Sequence, residues 1–139
     1  MAEAWLRYHG GDRFEAFSAG LDPTSIHPLT VKVMEEKGID IGCQRPKDAM
    51  EFLGRERFEY VIVVCDEVNR SCPTVFPGVN LRIFWPLEDP AALRGEERER
   101  LDGFRNIRDR IEDLIRAWLE QVAKPLCKQN RSRQFDFQE

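Results

Sequence analysis

This sequence predicts an α/β domain built on a parallel sheet, and three observations carry that expectation. Tyr60-Val61-Ile62-Val63-Val64 is a near-continuous run of strand formers, the pattern of a strand covered on both faces. A second such run is Leu81-Arg82-Ile83-Phe84-Trp85. Apolar residues recur at helical spacing before the first run and after the second. Strands alternating with helices give parallel pairing and right-handed crossovers.

The elements follow in chain order. Residues 1 to about 9 read as a helix with Ala2, Trp5 and Leu6 on one face and no capping Ser, Thr or Asp ahead of it. Phe14 to Phe17 alternates apolar with polar or small residues, which predicts a short strand ending at Ser18-Ala19-Gly20. His27-Pro28-Leu29 opens a second helix running through Lys37, with Leu29, Val33 and Met34 on its inner face and Gly38 as its stop. A short helix is expected over Asp48 to Leu53, and strands over Tyr60 to Cys65 and Leu81 to Trp85. A long helix spans about Glu96 to Val122, with Leu101, Phe104, Ile107, Ile111, Leu114, Ile115 and Trp118 inward and its arginines and acids outward. Residues 1–123 thus make one domain, and 124–139 a polar tail without periodicity.

Composition narrows the function. With 139 residues, 42% hydrophobic and 33% charged, the chain supports one core. A net charge of -4 gives no reason to expect a nucleic-acid partner. No apolar stretch reaches the roughly 20 residues that span a bilayer. Met1-Ala2-Glu3-Ala4-Trp5 has an acid where a secretory leader would be apolar. Four cysteines in a chain of this length do not make a disulfide scaffold, so a reducing cytoplasm is the expected setting.

The chemistry concentrates in two of those cysteines. Cys65 closes the first strand run, at the carboxyl end where open α/β sheets place their reactive groups. Cys72 follows seven positions later, just before Pro73. Zinc pairs are usually spaced by two to four residues and repeated, which this spacing is not. A dithiol relay fits better, while two unrelated buried cysteines remain the alternative. Cys43 forms no second close pair and reads as a small buried residue. His27 before Pro28 reads as the start of a helix.

Taken together, Met1-Ala2-Glu3-Ala4-Trp5, Phe17-Ser18-Ala19-Gly20, His27-Pro28, Gly38-Ile39-Asp40-Ile41, Cys65 with Cys72-Pro73, and Trp85-Pro86-Leu87-Glu88-Asp89-Pro90 resemble the low-molecular-weight protein tyrosine phosphatase family. The resemblance covers roughly residues 1 to 122 and points to the family's thioredoxin-coupled arsenate reductase branch. It implies a three-layer fold around a parallel four-stranded sheet. It also implies that Asp89 is the general acid, a carboxylate before proline at a strand's carboxyl end. The alternative is that Glu88-Asp89-Pro90 is only a turn. By the same resemblance Cys65 and Cys72 are the second and third thiols of a three-cysteine relay. A first cysteine attacks arsenate, Cys65 attacks the adduct, Cys72 resolves the disulfide, and thioredoxin reduces the Cys65–Cys72 bond. Arsenate or a phosphate-like oxyanion is the implied substrate, and no cofactor is implied.

Family members begin with a central strand and a Cys-x5-Arg loop that cradles the oxyanion. Position 1 here aligns a few residues after that arginine, so the first strand and loop are absent from the N-terminus. The chain as written is therefore expected to be inactive, and its sheet to carry an unpaired edge inviting a homodimer. In the tail, Cys127, Asn130 and Arg133 fit the loop pattern, as a circular permutation would place it. Pro125 in the candidate strand and the lack of a helix after Arg133 argue instead for a solvated tail with a chance match. The family's potassium site would include Glu3 and Ser18 by position, but Lys47 stands where a ligand aspartate belongs, so no metal is expected. Three functions compete: arsenate reductase, phosphomonoester phosphatase with an incidental cysteine pair, and a non-catalytic protein that binds other chains.

Overall fold

A computed structural model describes residues 1–64 and 77–123 of the 139. Helix α1 spans Ala2–Gly10, α2 Pro28–Glu35 and α3 Glu97–Ala123; strand β1 spans Phe58–Val63 and β2 Val79–Phe84. The two strands pair in parallel, with Phe58 opposite Val79, Tyr60 opposite Leu81 and Val63 opposite Phe84. The pairing continues past β2, where the Trp85 amide donates to the Val63 carbonyl at 2.8 Å. Each strand begins and ends within two residues of the expected range.

Among the described residues the sheet has these two strands alone. The strand expected at Phe14 to Phe17 does not form, although Phe14 has extended dihedrals (φ -135°, ψ 135°). Alternating residues give an extended backbone its two faces, but a ladder requires a neighbour, and this segment meets one only at Gly20. There the Gly20 amide donates to the Lys47 carbonyl and the Ala49 amide donates to the Gly20 carbonyl, both at 2.9 Å. Ala16 is nonetheless buried, and Phe14 packs on Trp118 with ring centroids 5.3 Å apart. The four-stranded sheet implied by resemblance therefore reduces to two strands within the described residues.

Helix ends follow local chemistry. The first helix starts without a side-chain cap, as its sequence requires. His27 caps α2, its Nδ1 accepting from the Leu29 amide at 3.1 Å, with Pro28 in the first turn. Gly38 ends that region with φ 74°, a left-handed conformation that a Cβ would strain, and lets the Ile39 amide reach back to the Met34 carbonyl at 3.1 Å. Asp48 and Glu51 form a reciprocal capping box around the 3-10 turn Ala49–Glu51, inside the span expected to be a short helix.

The core gathers around α3, which packs against α1, α2 and one face of the sheet. Trp5, Met34, Ile41, Phe104 and Ile115 are all nearly or fully buried. Arg108 corrects the expected polarity of α3, because it is buried rather than outward. Its guanidinium donates to the Val33 carbonyl at 2.9 Å, to Glu36 at 3.0 Å and to Asp109 at 2.7 Å. A buried cation is tolerable when its donors are met in this way.

Candidate active site

Parallel pairing sends both strands in one direction, so the chain leaves β1 at Val64 and β2 at Trp85 on the same edge of the sheet. That edge is where open α/β sheets collect their functional loops. Asp89 lies on the loop beyond β2, fixed below by buried Leu87. It is exposed, and its Oδ1 accepts the Ala91 amide at 2.9 Å to cap the 3-10 turn Pro90–Ala92. The turn reading of Glu88-Asp89-Pro90 is thus correct as local structure. It does not compete with a chemical role, since a carboxylate has two oxygens and one is used for the cap.

Cys65 and Cys72 lie outside the described residues, as do Cys127, Asn130 and Arg133. Val64, the residue before Cys65, is described and sits at the carboxyl edge of β1. Cys43 is described and is exposed, contrary to the expectation of a buried thiol. The cause is a turn: Asp40 Oδ1 accepts the Gly42 amide at 2.7 Å and the Ile41 carbonyl accepts the Gln44 amide at 3.0 Å, which carries Cys43 to the outside.

Beside the start of α1 lies a cleft of about 230 Å³, lined among others by Met1, Ser18, Gly20, Gln44, Arg45 and Lys47. Its wall is a charge cluster centred on Glu3, whose side chain is only 4% exposed. The Ser18 hydroxyl donates to Glu3 Oε2, Lys47 Nζ approaches the same oxygen at 3.2 Å, and Arg7 meets Oε1 at 2.9 Å. Burial pushes the Glu3 carboxyl up, but the Ser18 hydrogen bond and the charges of Lys47 and Arg7 outweigh it and hold it below the usual carboxylate range. Lys47 also donates to the Arg45 carbonyl at 3.1 Å. Glu3, Ser18 and Lys47, named together by the sequence, meet as an ion pair whose shared carboxylate oxygen also accepts the Ser18 hydroxyl. Arg45 is committed as well, to Glu51 at 2.9 Å. Both cations facing the cleft are therefore already paired with carboxylates. Among the described residues no group of three or more His, Cys, Asp or Glu side chains could hold a metal ion.

A parallel sheet, helices packed on it and loops gathered at its carboxyl edge define an open α/β fold. Residues 1–129 match the model of the low molecular weight phosphotyrosine protein phosphatase family, and the chain belongs to that family. It is 34% identical over 120 residues to an arsenate reductase of Bacillus licheniformis, covering 86% of this chain and 85% of that protein. An arsenate reductase of Bacillus subtilis is 32% identical over the same shares. A solved arsenate reductase in the phosphate binding state superposes with a TM-score of 0.68 at 25% identity, over 88% of this chain and 87% of that one. The family and these relatives are enzymes. No helix among the described residues is long and apolar enough to cross a membrane.

Proposed function

We propose that the chain serves arsenate reduction of the thioredoxin-coupled type, in the cytoplasm, with Cys65 and Cys72 as exchanging thiols and Asp89 as the proton donor. Support comes from one observation above others: β1 and β2 run in parallel and in register to the same edge, with Asp89 five residues beyond β2 and Cys65 two residues beyond β1 in sequence. In the reaction, the Cys65 thiolate attacks the sulfur of a thiol–arsenate adduct. The S–As bond breaks, and arsenic keeps the electron pair, falling from As(V) to As(III). Cys72 then attacks Cys65, releasing the first thiol and leaving a Cys65–Cys72 disulfide. Two electrons from the thioredoxin dithiol restore both thiols. Hydrolysis of a phosphomonoester is the second reading, favoured by the family's phosphatase members. It gives Cys72 no task.

Within the 139 residues the Cys-x5-Arg spacing occurs once, at Cys127 to Arg133. The 139-residue chain alone is expected to turn over neither arsenate nor p-nitrophenyl phosphate. Turnover abolished by Cys127→Ser would assign the nucleophile to the tail instead. A homodimer belongs to the same proposal, since β1 has no strand on its second side among the described residues. The direct test is mild oxidation followed by mass spectrometry, with thioredoxin added to the oxidised protein. A Cys65–Cys72 disulfide that thioredoxin reduces supports the relay. Cys65 found only as a free thiol, or joined to Cys43, overturns it.

A further inference from the structure

One apolar surface is left without a partner among the described residues. A groove of about 430 Å³ runs between the sheet and the carboxyl half of α3, lined among others by Tyr60, Ile83, Trp85, Leu114, Trp118 and Val122. At its outer wall Leu81 is 51% exposed. Two tryptophans, a tyrosine and several aliphatic side chains facing one trough make a contiguous apolar surface of the kind that marks a binding site.

We propose that the chain's own tail, residues 124–139, folds back into this groove, anchored by Leu126, Phe135 and Phe137. Val122 lines the groove and α3 ends at Ala123, so the tail emerges at the groove's rim. Lys124-Pro125 follows at once, and proline lacks the amide that a continuing helix would need there. Leu126 is three residues past the last helical position, a span of roughly 10 Å at full extension. Phe135 and Phe137 are the tail's only aromatic residues. A second copy of the chain is the rival occupant, but a short tether keeps the tail at an effective concentration of about a millimolar beside the groove. A second copy reaches that only in concentrated solution.

The test places a photo-cross-linker in the groove of the full-length chain, as Leu81→p-benzoylphenylalanine, and maps the products by mass spectrometry over a dilution series. The expected result is an intrachain cross-link to a peptide within 124–139, with a yield independent of dilution. Phe135→Ser with Phe137→Ser, in the same full-length chain, is expected to remove most of that product and to increase acrylamide quenching of tryptophan emission. Cross-links to a second chain that fade on dilution would overturn the proposal in favour of a dimer. An intrachain yield unchanged by the two substitutions would overturn the assigned anchors, and absence of any product would mean that the groove stays open. None of these outcomes depends on arsenate chemistry.

Discussion

Glu3 is held by three partners from three parts of the chain, so removing one tests how a buried charge is shared. Lys47→Met leaves the carboxylate with Arg7 and Ser18 only, in a site where its side chain is 4% exposed. Losing one partner of a buried pair costs about 3–5 kcal/mol when nothing else compensates, and with Arg7 retained we expect about 2 kcal/mol, read from urea unfolding. No change would show that Lys47 is spectator to Glu3. Asp89 allows capping to be separated from proton donation. Asp89→Ala should cost about 1 kcal/mol of stability through the lost cap. Asp89→Asn keeps an oxygen for the Ala91 amide and so should be close to neutral in stability. In a catalytically competent form of the enzyme both should lower turnover alike. Asn retaining full turnover would remove Asp89 from the mechanism. The position of Asp89 was legible because a carboxylate before proline after a strand has few local arrangements. The burial of Arg108 was not, because Val33 and Glu36, which meet its guanidinium, lie some 70 positions away in sequence.

Helices α2 and α3 are joined by a single knot of charge. Glu36, just past α2, receives Arg105 at 2.7 Å and Arg108 at 3.0 Å, while Arg108 also takes Asp109. The hydrogen bond from Arg105, with Arg108 behind it, holds the Glu36 carboxyl down at about 2, against an ordinary value of 4.5. A folded-state value below the unfolded one means that this carboxylate stabilises the fold above about pH 4.5. That contribution is lost as pH falls from 4.5 towards 2. Glu36→Gln should therefore flatten the pH dependence of thermal unfolding in that window and leave its shape above pH 5 unchanged. An unaltered acid slope would show that the knot carries no linkage. Helix periodicity in the sequence was sufficient to place α3 and the face it buries, since a 3.6-residue repeat depends on the chain's own neighbours. Strand Phe14 to Phe17 failed for the opposite reason: alternation describes two faces but says nothing of whether a partner backbone lies beside it.

At the scale of the whole molecule, the sheet among the described residues has an open side. One side of β1 is satisfied by β2, through to the Trp85 amide donating to the Val63 carbonyl at 2.8 Å. A residue's N–H and C=O share one side of a strand and sides alternate, so Val63, whose carbonyl accepts from Trp85, and Val61 face β2, while the amides of Tyr60 and Ile62 point to the other side, where no described strand lies. An open edge carrying β-branched residues is a template for another strand. Amide exchange separates the proposed self-association through that edge from its alternatives. In dilute protein the Tyr60 and Ile62 amides should exchange much faster than those of Val61 and Val63. At concentrations where sedimentation shows a dimer, the difference should narrow, because both sides of β1 are then bonded. Fast exchange at Tyr60 and Ile62 in a sedimenting dimer would move the interface elsewhere. Strong protection at both positions in a strict monomer would mean that another segment of the same chain already completes the sheet, and the dimer proposal would fall.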